Sequence, residues 1–352
     1  MSNATLGLLY NALEESGNHA SGQLFIADEN VDDIRVLMQF AQAMPVITNR
    51  CNIFTAICNT NHRHQFSDFD FTNIEDASLH RIYYRTSKEK PVVHHVINAA
   101  ARLLITDGEL IMAGEKQQGI QTYIKKAEQR LGHESVVRKD GAARIGIIQK
   151  KLPGAALDDS DYPMLRPAIT TDGIVFYSKP GVFGWNKIDQ GSAFLAQHLD
   201  RLAIRNNRLL DMGCGYGYLS VMAQKFSPAS IHATDNNAAA LLACRKNFEL
   251  HNITGDVIAD HIGASLTPGY DVILCNPPFH QGFDVEHNLT NHFLQATARL
   301  LTKHGQALFV VNSFIALEKT AASYFRKTEV VADNRRFKVV LLTAPGNPAG
   351  TP

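Results

Sequence analysis

The stretch Arg208-Leu-Leu-Asp-Met-Gly-Cys-Gly-Tyr-Gly217 places a short apolar segment directly before three glycines at alternate positions. The apolar segment predicts a buried strand, and residues 218–226 predict a helix after the loop. Glycines let the backbone approach a ligand closely, and the following helix offers N–H groups and the positive end of its dipole. A strand, a glycine loop and a helix in this order predict a ligand site on an α/β sheet.

Acidic residues end the next two predicted strands, residues 231–235 and 257–260. Asp235 lies 22 residues after Gly213, where a carboxylate can accept both ribose hydroxyls of a nucleoside. Asp260 is positioned for an adenine edge. NAD enzymes also combine a glycine loop with a downstream acid, but the spacing here is G-x-G-x-G and no P-loop motif occurs.

A second strand-to-turn segment, Asp271-Val-Ile-Leu-Cys-Asn-Pro-Pro-Phe-His280, runs from a buried strand into two prolines. Proline has a fixed φ and no N–H, so this turn can accept hydrogen bonds from a ligand but donates few. Its acceptors are backbone carbonyls and the side-chain oxygen of Asn276, and Phe279 adds an aromatic face. The combination suits a planar ring with an exocyclic –NH2 group. A strand that merely ends at a proline pair is the alternative that this stretch alone leaves open.

The first half of the chain alternates predicted strands and helices but contains no glycine loop. We predict strands at 23–27, 46–48, 53–57, 81–85 and 110–114, and helices at 92–104 and 120–131. This alternation favours a parallel α/β sheet. The histidines at 62, 64, 94 and 95 have no carboxylate or cysteine at ligand spacing, so we predict no metal site. A basic cluster at 81, 85, 88 and 90 predicts a solvated face, with an RNA-facing patch as the sharper alternative.

An internal repeat connects the two halves. Ala101-Arg-Leu-Leu104 and Ala298-Arg-Leu-Leu301 are offset by 197 residues, and each is followed by a glycine turn and a strand. A strand also precedes each predicted helix; the first is followed by Thr86-Ser-Lys-Glu-Lys90 and the second by Asn-Pro-Pro-Phe. The repeat predicts a duplicated domain whose first copy lacks the site residues.

The polar, acidic and proline-bearing segment 157–167 predicts a domain boundary. We therefore predict a first domain over residues 1–160 and a second over residues 168–352. Within the second, Ser192 is predicted to cap a helix over residues 193–202.

Composition narrows the classes of function. The 352 residues include 34 basic and 34 acidic side chains and are 45% hydrophobic, so a large core is expected and neither half is strongly basic. Any RNA contact must then come from local patches. Five cysteines without a CxxC pair indicate reduced thiols, and no signal segment or apolar run of about 18 residues occurs. These features predict a soluble cytoplasmic protein without a membrane partner.

The glycine loop together with Asn276-Pro-Pro-Phe-His280 resembles the class I S-adenosylmethionine-dependent methyltransferases that act on amino groups. More closely, the chain is similar to the RsmC-type 16S ribosomal RNA guanine-N2 methyltransferases. Further matches are Pro180-Gly-Val-Phe183, Asp189-Gln-Gly-Ser192 and Arg336-Phe-Lys-Val339. The resemblance is strong over residues 174–340 and only architectural over residues 1–160. Met212 and Asp260 depart from the family pattern, which usually has Val and often has Asn at these positions.

The resemblance implies two tandem Rossmann-like methyltransferase domains. The C-terminal one would be a seven-stranded class I sheet whose reversed last strand is Phe337–Leu342, and the N-terminal one a degenerate copy that binds no cofactor and serves as scaffold or as RNA or ribosome docking surface.

It also assigns site residues for S-adenosylmethionine and for the target guanine of 16S rRNA in the small ribosomal subunit. The cofactor residues are Asp211, Gly213, Gly215 and Gly217 at the methionine end, Asp235 at the ribose, Asp260 at the adenine, and Asn276. The catalytic residues are Asn276, Pro277 and Phe279, and the substrate-binding residues are Phe279, His280 and Phe183. The implied protein is a monomer without a metal ion.

Other functions stay open at this point. The sister enzymes that modify 23S rRNA share the two-domain plan and the Asn-Pro-Pro-Phe-His motif. Adenine-N6 and glutamine-amide methyltransferases prefer Tyr at the position of Phe279. An NAD oxidoreductase and a catalytically inactive RNA-binding protein represent other classes of protein.

Overall fold

The computed structural model describes residues 4–15, 21–278 and 283–346. The chain divides into two compact units, residues 1–164 and 165–352, which we call the N-terminal and C-terminal units. The division falls inside the acidic segment 157–167. None of the described helices combines the length and the apolar character needed to cross a membrane.

The N-terminal unit alternates helices with strands. Its described helices are α1 Ala4–Glu15, α2 Ile34–Ala43, α3 Cys51–Ile57, α4 Lys90–Leu103 and α5 Ile120–Leu131. Its described strands are β1 Gln23–Ala27, β2 Val46–Thr48, β3 Gln65–Phe66, β4 Leu79–Arg85, β5 Leu104–Glu115, β6 Ser135–Asp140 and β7 Ala143–Gln149.

These seven strands, within the described residues, form one sheet in the order β3-β2-β1-β4-β5-β7-β6. The first five strands pair in parallel, and β7 is antiparallel to both of its neighbours. The strand order reverses beside β1, as in doubly wound α/β sheets.

The C-terminal unit begins with a two-stranded hairpin and continues with a second alternating series. The hairpin strands are β8 Arg166–Thr171 and β9 Ile174–Ser178. The described helices that follow are α6 Gln190–Ala196, α7 Tyr218–Gln224, α8 Ala238–Leu250, α9 Phe283–Leu300 and α10 Leu317–Ala321. The remaining described strands are β10 Arg208–Met212, β11 Ser230–Asp235, β12 Val257–Ala259, β13 Tyr270–Cys275, β14 Leu301–Asn312, β15 Phe325–Asp333 and β16 Phe337–Pro345.

The sheet of the C-terminal unit repeats the topology of the first. In the described part of this unit its order is β12-β11-β10-β13-β14-β16-β15, and β16 runs antiparallel to both neighbours. The predicted fold class, two tandem Rossmann-like sheets with a reversed last strand, is therefore confirmed. The reversed strand extends three residues beyond the predicted end, to Pro345.

The internal repeat extends to the register of the two sheets. β5 and β14 are both 12 residues long and show the same order of buried and exposed positions. Tyr84 pairs with Met112 in the first sheet as Cys275 pairs with Phe309 in the second. The residues that follow, Arg85 after Tyr84 and Asn276 after Cys275, therefore occupy equivalent positions in the two units.

Both faces of the C-terminal sheet are covered. Along β13, Val272 and Leu274 enter one buried apolar cluster, whereas Ile273 and Cys275 enter the other. A strand buried on both faces reads as a continuous apolar run, which is why Val272 to Cys275 shows no polar alternation.

Two predictions of local secondary structure are wrong. Residues 53–57 form part of helix α3 and not a strand, because Ile53 and Ile57, four residues apart, are buried on the same helix face. The helix predicted over residues 193–202 spans Gln190–Ala196, and its N-cap is Asp189 rather than Ser192. Asp and Ser are about equally favourable N-caps, so the sequence Asp-Gln-Gly-Ser alone does not decide between them.

A buried asparagine connects the hairpin to the sheet of the C-terminal unit. Asn247 on α8 is fully buried, and its side chain exchanges two hydrogen bonds with the backbone of Tyr177 in β9, at 2.8 and 2.9 Å. Its Nδ2 also donates to the carbonyl of Tyr216 in the glycine loop at 2.7 Å. The side chain thus satisfies three backbone groups, the N–H and the carbonyl of Tyr177 and the carbonyl of Tyr216.

We expect Asn247→Ala to destabilise the C-terminal unit by roughly 2–4 kcal/mol, because the unsatisfied backbone groups pay their full desolvation cost. Urea unfolding followed by the fluorescence of Trp185, the single tryptophan of the chain, reports on this unit. Asn207→Ala is the control, since the side chain of Asn207 makes an exposed hydrogen bond to the carbonyl of Ala203. Equal Trp185 transitions in the two variants would contradict the role given to Asn247.

Candidate functional site

The predicted site residues gather where the strand order of the C-terminal sheet reverses, between β10 and β13. Loops leave these two strands in opposite directions and open a crevice at their carboxyl ends, the usual ligand position in such sheets. The glycine loop follows β10, Asp235 ends β11, Asp260 follows β12 and Asn276 follows β13.

The glycine loop has a backbone that other residues rarely adopt. Gly213, Gly215 and Gly217 have φ values of 79°, 55° and 87°. A Cβ atom at Gly213 or Gly215 would meet no described atom within 4 Å, so the space above the loop is open. At Gly217 a Cβ atom would lie 2.9 Å from the sulfur of Cys244, so this glycine lets the loop pack against α8. The first two glycines therefore leave room for a ligand, and the third serves packing.

Asp235 holds the glycine loop in place. One carboxylate oxygen accepts from the N–H of Gly215 at 2.9 Å, and the other accepts from the N–H of Asn237 at 2.8 Å. Asn237 caps α8 and donates from Nδ2 to the carbonyl of Gly181 at 2.8 Å. A carboxylate has about four acceptor positions, so these two backbone contacts are compatible with the ribose role predicted for Asp235. The segment that carries Phe183, which is 62% exposed, is thereby tied to the same carboxylate.

Asp211 lies beneath the loop and joins β10 to α7. It is buried, and one oxygen accepts from the backbone N–H and the hydroxyl of Ser220, at 3.0 and 2.7 Å. Burial raises the pKa of Asp211 to about 6. Since the unfolded pKa is about 3.9, this group lowers stability as the pH rises through that window. A carboxylate retained at such a cost is typical of functional sites; its part in methionine binding stays a prediction.

Asp260 presents an oxygen that lacks a hydrogen-bond partner among the described residues. The side chain is 4% exposed, and Oδ2 accepts from the backbone and hydroxyl of Ser265, whereas buried Oδ1 accepts nothing there. A buried unpaired acceptor is costly, so a ligand N–H at this position would be favourable. This acceptor fits the predicted cofactor, because an adenine carries an amino group that can donate at its edge.

The turn after β13 places Asn276 in contact with helix α6. Its Nδ2 donates to Oδ2 of Asp189 and to Oγ of Ser192, both at 2.8 Å. Pro277 is buried and Pro278 is exposed. Phe279 and His280, both predicted site residues, lie outside the described residues. Sequence reasoning missed the contact with Asp189, although the Asp-Gln-Gly-Ser motif had been singled out.

The N-terminal unit has different residues at the positions that form the C-terminal site, and two of these residues are charged. Arg85, which occupies the position of Asn276, is 2% exposed, so the prediction that it belongs to a solvated basic face is wrong. Asp28, in the loop after β1, is fully buried, and burial, followed by the nearby Glu29, raises its pKa to about 7. Thr48 stands in the register position of Asp235. This crevice therefore lacks the glycines and the ribose acid of the second.

The four histidines considered as metal ligands make ordinary contacts. His64 accepts from the N–H of Val46 at 3.0 Å, and His62, His94 and His95 contact the backbone carbonyls of residues 42, 158 and 69. Among the described residues, no group of three or more His, Cys, Asp or Glu side chains is arranged to hold a metal ion.

Comparison with known proteins connects this geometry to a family. A family model described as the methyltransferase small domain matches residues 173–341, which is most of the C-terminal unit. A solved structure described as the T. thermophilus 16S rRNA N2 G1207 methyltransferase (RsmC) in complex with AdoMet and guanosine has a TM-score of 0.80 and 21% identity, over 97% of this chain and 92% of that one. This likeness shows that the two-unit fold is shared.

Curated relatives match across both units. A protein named ribosomal RNA small subunit methyltransferase C from Shewanella loihica is 30% identical over 262 residues, 72% of this chain and 73% of the relative. One of the same name from Haemophilus influenzae is 27% identical over 260 residues, 73% of this chain and 77% of the relative. The protein therefore belongs to the ribosomal RNA small subunit methyltransferase C family.

Proposed function

We propose that this protein transfers a methyl group from S-adenosylmethionine to the exocyclic N2 amine of a guanine in 16S rRNA of the small ribosomal subunit. The names of its relatives support the RNA, and the AdoMet and guanosine bound in the T. thermophilus structure support the cofactor and the base. The observation that carries the proposal is the turn after β13, where Asn276 has Nδ2 engaged with Asp189 and Ser192.

The residues of the crevice fit S-adenosylmethionine in order along the sheet edge. The open glycine loop and Asp211 are proposed to hold the methionine end, Asp235 the ribose hydroxyls, and the unpaired Oδ1 of Asp260 the adenine amino group. When bound, the cofactor supplies an electrophilic methyl group on a sulfonium. Asn276 borders this space with its side-chain oxygen assigned to the target base.

The turn acts on the target amine by accepting its hydrogen bonds. The N2 lone pair of guanine is delocalised into the ring, so the free amine is a poor nucleophile. We assign Oδ1 of Asn276 and the carbonyl of Pro277 to accept the two N–H groups, which directs the lone pair out of the ring plane. Catalysis then rests on positioning and preorganised dipoles, and no strong base is required, because the nitrogen becomes acidic as it gains the methyl group.

The remaining substrate contacts are proposed for aromatic and basic side chains around the turn. Phe279 stacks on the base, His280 positions the substrate, and the exposed Phe183 contacts the RNA from the segment tied to Asp235. A base in a stem has to be extruded first, at a cost of a few kcal/mol. The N-terminal unit serves as scaffold and docking surface, and the protein acts in the cytoplasm as a monomer without a metal ion.

A methyl-transfer assay tests the reaction and separates it from its alternatives. Tritiated S-adenosylmethionine is offered with unmodified 16S RNA, 23S RNA, and the small and large subunits. Label in N2-methylguanine of 16S RNA, free or assembled, supports the proposal. Label confined to 23S RNA would instead identify the sister activity, and label in adenine or protein would overturn guanine as the target.

We expect Asp235→Ala to weaken cofactor binding by roughly 1–3 kcal/mol, or about fivefold to 150-fold, since ribose hydroxyls lose their acceptor. Titration calorimetry with S-adenosylmethionine measures this change. Asp256→Ala is the control, because Asp256 directly precedes the neighbouring strand β12 and its side chain is 76% exposed. Tight binding of NADH without binding of S-adenosylmethionine would contradict the cofactor assignment.

The intact chain is expected to bind one equivalent of S-adenosylmethionine, because only the C-terminal crevice carries a glycine loop. Gly215→Val, which places a β-branched residue at a φ of 55°, should abolish that binding entirely. Titration calorimetry measures the binding stoichiometry of the native chain and of Gly215→Val. Two equivalents in the native chain, or residual stoichiometric binding in Gly215→Val, would show that the N-terminal unit still holds a cofactor.

We expect Asn276→Ala to lower the single-turnover methylation rate by about two to three orders of magnitude, the scale for losing one preorganised polar group. Cofactor affinity should change little, since the side-chain oxygen is assigned to the base. Asn207→Ala serves again as the exposed control.

Phe279→Ala provides a contrast within the same turn. It should chiefly weaken RNA binding, by roughly 1–3 kcal/mol for one lost stack. If the turn only terminates β13, Asn276→Ala will instead melt at a lower temperature and turn over normally per folded molecule.

A further inference from the structure

The contacts of Asn276 fix the direction in which its amide points. Within the described part of the chain, its side-chain hydrogen bonds both use Nδ2, to Oδ2 of Asp189 and Oγ of Ser192 at 2.8 Å. A carboxylate accepts hydrogen bonds and does not donate them, so Asp189 requires the amide nitrogen, and not the oxygen, to face it. The amide oxygen then points away from α6.

Asp189 is held by the helix that it caps. The oxygen that meets Asn276 also accepts from the backbone N–H of Ser192 at 2.8 Å, the N-cap hydrogen bond of α6. Its backbone is extended, with φ −65° and ψ 132°, as expected of an N-cap residue. One carboxylate oxygen therefore joins the first turn of α6 to the catalytic turn after β13.

Gly191 leaves the space that this contact needs. A Cβ atom there would lie 3.1 Å from Oδ2 of Asp189 and 3.6 Å from Nδ2 of Asn276. The helix is anchored by Leu195, which is fully buried in the core of the unit. Arg336, in the turn between β15 and β16, also contacts the side chain of Gln190. The carboxylate of Asp189 is thus held by a helix that is itself packed in place.

We propose that Asp189 is a positioning residue for methyl transfer, which holds the amide of Asn276 so that Oδ1 alone is offered to the substrate amine; this rests on the proposed function. Without the carboxylate, the amide can rotate by about 180° about its last bond, because its two ends are nearly the same size. A rotated amide would present an N–H group to an N–H group and lose the hydrogen bond. Ser192 supports the same orientation as the second acceptor.

The test compares Asp189→Ala with Asp189→Asn in single-turnover methylation of whichever 16S RNA preparation accepts label. Asp189→Ala should be about 10- to 100-fold slower at saturating cofactor, the scale for groups that orient a functional side chain. Asp189→Asn should recover most of the rate, since its Oδ1 can still accept from Ser192 and Asn276. Cofactor affinity should stay near that of the native protein in both variants.

Asp33→Ala is the matched control, because Asp33 caps α2 through the N–H of Arg35 and lies in the N-terminal unit. It loses an N-cap as Asp189→Ala does and should keep the native rate. If Asp189→Ala loses only folded protein, with native turnover per folded molecule, its role is structural and the inference is overturned.

The double variant Asp189→Ala, Asn276→Ala separates this inference from the proposed function. If Asp189 acts through Asn276, removing it from the Asn276→Ala protein should cost little further rate. The full 10- to 100-fold loss in that background would overturn the inference while leaving Asn276 in its role. If Asp189→Ala keeps the native rate while Asn276→Ala is slow, the inference on Asp189 is likewise overturned and Asn276 keeps its role. A native rate for Asn276→Ala would overturn both assignments.

Discussion

The candidate site depends on one topological constraint, the reversal of strand order beside β10. Because β11 and β13 lie on opposite sides of β10, the helices that connect the strands cover opposite faces of the sheet and leave a crevice at the carboxyl edge. Four consecutive strands deliver one component each to that edge: the glycine loop, Asp235, Asp260 and Asn276. Their chemistry differs, but their proximity follows from the parallel register of the sheet.

The N-terminal unit shows that this frame does not by itself specify a function. Its sheet has the same strand order, and β5 reproduces the burial of β14 position by position. At the edge, however, Arg85 replaces Asn276 and Asp28 lies in the loop after β1, both buried. Burial lowers the pKa of Arg85 and raises that of Asp28, so each group is desolvated at a cost to its charged form. The loops after the strands, not the sheet, therefore distinguish the two units.

The parts of the structure that could be predicted from sequence are those encoded within one contiguous stretch. The strand, glycine loop and helix of residues 208–226 and the apolar run before Asn276 each carry their signal in neighbouring residues. The contact between Asn276 and Asp189 spans 87 positions and arises only when β13 and α6 are brought together. The burial of Arg85 could not be predicted either, because an arginine in a basic cluster is far more often exposed. Helix α3 was missed because Ile53 and Ile57 fit both a β-rich segment and a helix face.

The hydrogen-bonding character of the turn explains why its substrate should be an amine. The prolines after Asn276 have no N–H, and the amide nitrogen of Asn276 is engaged by Asp189 and Ser192. What remains are acceptors: Oδ1 of Asn276 and the backbone carbonyls. An unprotonated ring nitrogen or a carbonyl oxygen of a base has only lone pairs to offer and would meet lone pairs here, whereas an exocyclic –NH2 group offers two donors. On the proposed mechanism, the turn selects against the wrong atoms because it offers few donors, and the carboxylate of Asp189 on the neighbouring helix engages the amide nitrogen that would otherwise be one.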